Sequence, residues 1–163
     1  MKKLTSDILI VGAGLTGLIT ACALSDLGVK VILIDKADFK SNKNSLNDLR
    51  TTAISEGSKC FLEKINIWEK IKKFSEPIKN IKVEDRREDR TLDFLNQRKN
   101  ANLGYIVKNS DIKKKALQFI SKKNNLTLIS KKNLKNISYE NNSIICNFDK
   151  TKIYSKLLIA ADG

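Results

Sequence analysis

At 163 residues, 41% of them hydrophobic, the chain has the length of one domain with one core. Its formal charge of +13 comes from lysines spread among asparagines along the whole chain, and without basic residues gathered beside aromatics this argues against a nucleic-acid footprint. The absence of histidine excludes any Ser-His-Asp or Cys-His mechanism within this chain, and Cys22, Cys60 and Cys146, odd in number, far apart and without a CxxC pair, argue against a zinc site or a disulfide framework and for a reducing, cytoplasmic compartment.

The first element is a strand. "DILIV", residues 7 to 11, is a short apolar run suited to a strand buried on both faces of a parallel sheet. "GAGLTG" follows, and the chain then turns helical, with Leu15, Leu18, Ile19, Cys22 and Ala23 at helical spacing and Gly28 placed to end the helix. A second apolar run, "VKVILID", comes next. Strand, tight turn, helix and strand within about 30 residues make a βαβ unit. The same segment, with two lysines, an apolar run and "ACA", has the outline of a secretory signal, but Asp7 and the three glycines interrupt it, and it is shorter than the roughly 20 residues of a spanning helix.

In this context the glycines acquire a mechanism. Gly12 permits the tight turn, Gly14 has no side chain to hold a pyrophosphate off the backbone, and Gly17 lets helix and strand pack closely. With Ala13, Leu15 and Thr16 they form the candidate phosphate turn, at a helix N-terminus whose N–H groups and partial positive charge suit an anion. Asp35, eighteen residues after Gly17, ends the second strand where a carboxylate can accept a ribose hydroxyl, with Lys36 beside it. An acid there disfavours a 2′-phosphate, so the site should hold FAD or NAD rather than NADP.

Past Asp35 comes a polar loop, "KADFKSNKNSLNDLR", where an NAD-binding dehydrogenase domain would continue with a regular strand and helix. "TTAISEGSKCFLEKINIWEKI" reads as one or two helices with Ile54, Phe61, Leu62, Ile65 and Trp68 as core face. "IKNIKVED", "RTLDF" and "LGYIVK" read as strands, with the mixed charges of "EDRREDR" in a solvated hairpin turn. Asn109 or Ser110 can cap a helix with Ile112, Ala116, Leu117 and Ile120 on its apolar face and Lys113, Lys114 and Lys115 toward water. "LTLI" is the next parallel strand. "NLKNISYE", "SIICNFD" and "KIYSK" alternate as an antiparallel meander with turns at Glu140-Asn141-Asn142 and Asp149-Lys150, and "LLIAADG" returns the chain to the sheet.

The order "GAGLTG", "RTTAIS", "LEKINIWEKI", "IKNIKVED", "LGYIVKNSDIKKKAL" and "LLIAADG" resembles the amino-terminal part of the FAD-dependent aromatic-ring hydroxylases, nearest to the branch acting on ubiquinone precursors. The resemblance runs through essentially the whole chain. It implies an α/β fold: a Rossmann-like FAD-binding domain over residues 1–163 with a parallel sheet and an antiparallel meander as crossover. It implies FAD as cofactor and NAD(P)H as co-substrate. On this resemblance Arg50 approaches the flavin cofactor, Asn109 lies over its ribose and phosphates unless it serves as a plain helix cap, and Asp162 with Gly163 forms the second cofactor motif near the pyrophosphate.

The family pattern continues beyond "ADG" to a substrate-binding sheet and a "G-D" motif that holds the flavin. The resemblance therefore implies an incomplete domain, the first part of a larger enzyme, with the elements that carry catalysis after Gly163 and no catalytic residue to name here. The implied partner is an aromatic, prenylated small molecule rather than a nucleic acid, with peripheral association at the inner face of the membrane and a place in a ubiquinone-biosynthesis complex. Two alternatives stay open from the residues: another FAD-dependent oxidoreductase of the same fold, or a non-catalytic nucleotide-binding fragment.

Overall fold

A computed structural model describes residues 2–38, 48–85, 90–95 and 102–163. In chain order the elements are β1 (Lys2–Val11), α1 (Leu15–Leu24), β2 (Val31–Ile34), β3 (Thr51–Ser55), α2 (Glu56–Lys64), α3 (Trp68–Ile71), β4 (Ser75–Ile78), β5 (Asn80–Asp85), β6 (Arg90–Leu95), β7 (Gly104–Lys108), α4 (Asn109–Ile120), β8 (Leu126–Ile129), β9 (Leu134–Glu140), β10 (Ser143–Phe148) and β11 (Thr151–Ala160). They fall into two compact units, Met1–Asp48 with Lys113–Gly163, and Leu49–Ile112.

The first unit is built on a six-stranded sheet in the order β8-β2-β1-β11-β10-β9. Strands β8, β2, β1 and β11 run parallel, and β11, β10 and β9 form the antiparallel meander. All four residues of β2 are buried, as expected of a strand covered on both faces. Helix α1 packs on β1 and β2 and buries Leu18, Ala21 and Cys22, with the Cys22 sulfur 4.0 Å from the carbonyl oxygen of Ala116 on α4. A second cluster joins Leu9, Ile32 and Ile34 of the parallel strands to Cys146, Phe148 and Ile153 of the meander. Each such buried aliphatic side chain contributes about 1.5–3 kcal/mol.

The expected βαβ unit and meander are both present, with changed boundaries. Helix α1 ends at Leu24, and Gly28 (φ +70°) closes the turn after it. "KIYSK" and "LLIA" are one ten-residue strand, β11, because its first half pairs with β10 while its whole length pairs with β1. Asn141 (φ 48°) and Asn142 (φ 59°) take the left-handed conformation that a two-residue hairpin turn demands, and Asp149 (φ 24°) turns β10 into β11. Lys113 does not point to water: its ammonium pairs at 2.8 Å with Asp48, whose side chain is 8% exposed.

The second unit holds the antiparallel sheet β3-β7-β4, the hairpin β5-β6 and helices α2 and α3. "TTAIS" is strand β3 rather than the start of a helix. It pairs with β7 from Thr51↔Lys108 to Ser55↔Gly104, and Ser55 then caps α2 by accepting the Ser58 N–H. Pairing brings β7 so close that a Cβ on Gly104 would collide with the carbonyl of Ile54. Ile54, Leu62, Ile67, Trp68, Ile71 and Val107 form the core, whereas Phe61 is 47% exposed and leaves the expected core face. Trp68 packs edge-on against Tyr105 at 4.9 Å. "IKNIKVED" divides into the end of β4 and all of β5. The turn expected in "EDRREDR", residues 84–90, lies mostly outside the described residues.

Candidate functional site

The glycine turn joins β1 to α1 at the carboxyl ends of the parallel strands, and each of its glycines answers to a different constraint. Gly12 has φ +108°, and a Cβ there would run into the carbonyl of Ala161. The end of β11 thus presses on the turn, and Ala161 N–H donates to Val11 C=O at 2.7 Å. A Cβ on Gly17 would overlap the carbonyl oxygen of Gly12, so α1 and the turn meet through backbone alone. Gly14 differs from both. It has φ −68°, and a Cβ on it would find no heavy atom of the described residues nearer than 3.9 Å. Nothing in the packing of the described residues requires glycine at that position, and the open space they leave in front of it suits a ligand.

Gly14 is also the N-cap of α1, where no side chain caps the helix and no acidic residue occupies the first turn. The first helical hydrogen bond runs from Leu18 N–H to Gly14 C=O at 3.0 Å. The N–H groups ahead of it, those of Leu15, Thr16 and Gly17, have no intrahelical acceptor. Together they form a seat for an anion.

Asp35 follows β2 and is fixed by the turn it faces. Its Oδ2 accepts the Ala13 N–H at 2.5 Å and its Oδ1 accepts the Ala37 N–H at 2.6 Å. The carboxylate is oriented without being used up, because two oxygens offer about four acceptor sites. A cavity of about 250 Å³ opens here, lined by Val11, Gly12, Asp35, Lys36, Lys132, Asn133, Leu134 and Asp162. The structure therefore brings the glycine turn, Asp35, Lys36 and Asp162 to one place. Gly163 (φ +85°) extends the exposed end of the chain next to Asp162.

Lys132, Asn133 and Leu134 were missed by sequence reasoning. They follow β8, which pairs with β2 so that Ile34 lies beside Ile129. The adjacent parallel strand was legible; that the segment after it turns back over Asp35 was not, and no motif marks it.

Arg50 and Asn109 belong to the second unit and are joined to each other. The Asn109 N–H donates to the Arg50 carbonyl at 2.9 Å, and the Asn109 Oδ1 accepts the Thr52 hydroxyl at 2.6 Å. Asn109 is buried at the start of α4, and the Arg50 side chain is exposed.

The donor set fits an adenine dinucleotide: an open glycine at an uncapped helix N-terminus for phosphates, then a fixed carboxylate for a ribose. Among the described residues no group of His, Cys, Asp or Glu could hold a metal ion, and no helix is long and apolar enough to cross a membrane.

Comparison with known proteins agrees with this geometry. The chain is similar to ubiquinone hydroxylase UbiM of Neisseria meningitidis serogroup C, at 30% identity over 99% of this chain and 36% of the relative. It is similar also to ubiquinone hydroxylase UbiL of Rhodospirillum rubrum, at 28% identity over 97% of this chain and 37% of the relative. The chain thus spans little more than a third of the length of these relatives. Among solved structures, p-nitrophenol 4-monooxygenase PnpA from Pseudomonas putida superposes over 100% of this chain and 42% of its own with a TM-score of 0.82, a likeness of fold at 15% identity. Residues 5–163 match the family model described as FAD binding domain, and the chain belongs to that family.

Proposed function

We propose that residues 1–163 act as the FAD-binding domain of a flavin-dependent monooxygenase, with the phosphates of FAD on the backbone of Gly12, Ala13, Gly14, Leu15, Thr16 and Gly17. The observation that carries the reading is Gly14, a glycine that the packing of the described residues does not need, facing open space at an uncapped helix start. In this reading Asp35 accepts the adenosine ribose hydroxyls, with Lys36 beside it, and Asp162 and Gly163 serve the pyrophosphate region. Arg50 and Asn109 are assigned to the cofactor as well, Arg50 as a cation suited to the flavin or its phosphates. Bound flavin supplies the redox chemistry that no side chain can provide. The residues of this chain bind and orient it.

The similarity to UbiM and UbiL supports a finer reading of the whole protein: hydroxylation of an aromatic ring of a ubiquinone precursor, with NAD(P)H as reductant and O₂ as oxidant. A prenylated substrate would draw such an enzyme to the membrane surface and into a complex with others of its pathway. The net charge of +13 suits an anionic surface.

The test is a titration of the 163-residue chain with FAD, followed by flavin fluorescence, with NAD as competitor. Saturable FAD binding that NAD barely displaces is expected. A folded chain that binds NAD and ignores FAD would overturn the reading.

A further inference from the structure

The start of the strand pair β1 and β11 gathers four lysines. The two strands are in register from Lys2↔Thr151 and Lys3↔Lys152, and the Lys2 N–H donates to the Lys150 carbonyl at 2.9 Å. Neighbouring strands lie about 4.8 Å apart. The register therefore sets Lys3 beside Lys152, with Lys2 and Lys150 at the same end of the pair. The Lys152 ammonium lies over the ring of Tyr154, 5.6 Å from its centroid, two residues on and so on the same face. The row through Lys3 and Lys152 continues across the meander into Asn147 and Asn136, which are bonded to each other, and it carries no acid.

Elsewhere in this unit lysines meet carboxylates: Lys156 pairs with Asp7, Lys123 with Asp26 and Lys131 with Asp38. Asp149, next to Lys150 in the chain, is taken by Lys135 at 3.4 Å. Lys2, Lys3 and Lys150 are exposed, and none of them meets a carboxylate among the described residues. Like charges side by side on neighbouring strands repel, and no described acid offsets that repulsion. We propose that this end of β1 and β11 is a docking surface for an anionic lipid bilayer, whose phosphates neutralise Lys2, Lys3, Lys150 and Lys152. The attraction of each lysine to such a surface falls off within a Debye length, so four in one cluster act together where scattered lysines do not. A single strand of nucleic acid fits less well. It needs exposed aromatic faces on which to stack its bases, and Tyr154 already carries Lys152.

The inference deepens the membrane-surface reading given above and rests on it for the choice of partner, though not on any substrate. The experiment is co-sedimentation of the 163-residue chain with vesicles of phosphatidylcholine alone and with vesicles of phosphatidylcholine and phosphatidylglycerol in equal parts. The parent is compared with the double variant Lys3→Gln/Lys152→Gln and with Lys114→Gln/Lys122→Gln, which removes the same charge from α4 and the turn after it. Circular dichroism verifies the fold of each. The parent should bind the mixed vesicles only, and less as salt is raised. Lys3→Gln/Lys152→Gln should weaken that binding about thirtyfold, or about fivefold for each lysine taken from the surface, while Lys114→Gln/Lys122→Gln should bind as the parent does. A parent chain that ignores the mixed vesicles would overturn the inference and the membrane reading together. An equal loss in both double variants would overturn the inference alone, since a general positive field would then hold the chain to the lipid. Tighter binding of the parent to polyuridine RNA than to the vesicles, lost in Lys3→Gln/Lys152→Gln, would give the surface to nucleic acid and overturn it as well.

Discussion

Asp35 is hydrogen-bonded to the residue in the middle of the glycine turn, its Oδ2 accepting the N–H of Ala13 at 2.5 Å. The acid therefore shapes the turn from within, and the proposed function gives it a second duty, to face a ribose from without. The Ala37 N–H on Oδ1 completes a pair of charge-assisted bonds, the stronger kind. Replacing Asp35 with Asn removes the charge and turns a donor toward one of two N–H groups. The expected cost is about 1–3 kcal/mol of stability from the orphaned donor. FAD affinity should fall by about tenfold or more, since a tenfold loss corresponds to about 1.4 kcal/mol. Urea unfolding and FAD titration of the same variant read both quantities, and unchanged affinity in a folded Asp35→Asn chain would remove the ribose role.

Glycines three residues apart should fail in opposite ways. Gly17→Ala forces a methyl group into the Gly12 carbonyl, and overpacking of that kind costs about 1–3 kcal/mol or more. Gly14→Ala has φ −68° and 3.9 Å of clearance, so its unfolding midpoint should match the parent's while FAD binding weakens at least about tenfold. A Gly14→Ala chain that bound FAD normally would show that the cofactor does not approach this backbone.

Much of this site was legible in the sequence because its constraints are local. Gly12, Gly14 and Gly17 are set by one turn, and Asp35 by the end of the strand that follows. The meander was legible from period-two alternation and from Asn141-Asn142. What escaped depends on contacts distant in sequence. Thr51–Ser55 carries no clear period of its own, and its extended form comes from pairing with Gly104–Lys108, some fifty residues on. The same holds for Lys132, Asn133 and Leu134, which have no chemistry in common and meet the cavity only because β8 lies beside β2. Ala161 is a third case. "ADG" draws the eye to Asp162, yet it is the Ala161 carbonyl that a Cβ on Gly12 would strike.

Two serines on adjacent strands give a test of buried polarity. Ser6 of β1 and Ser155 of β11 are partners in register, 8% and 2% exposed, and neither hydroxyl has a hydrogen-bond partner among the described residues. A buried hydroxyl without a partner costs about 1–3 kcal/mol. Ser155→Ala removes that cost and a single oxygen atom, so the urea midpoint should hold or rise. A clear fall in the midpoint would show that the hydroxyls are satisfied by bridging water.

The pH response of the base of β1 follows from one ion pair. Asp7 accepts a hydrogen bond from the Lys156 ammonium at 2.8 Å and another from the Lys30 N–H at 2.9 Å. The Lys156 bond is the main cause that holds its pKa below 3.8, with the Lys30 bond second. The same contact raises the Lys156 pKa above 10.5. For the acid, the stabilisation is present above pH 3.8 and is lost as pH falls through the lowered native value. For the lysine, it is complete below pH 10.5 and is lost as pH rises through the raised one. The lysine side chain is 79% exposed, so solvent and salt weaken the pair. An NMR titration of the Asp7 carboxyl carbon should give a midpoint below 3.8 in the parent chain, moving up toward that value in Lys156→Met and on adding salt. A midpoint that does not move when Lys156 is removed would assign the lowered pKa to the Lys30 backbone bond instead.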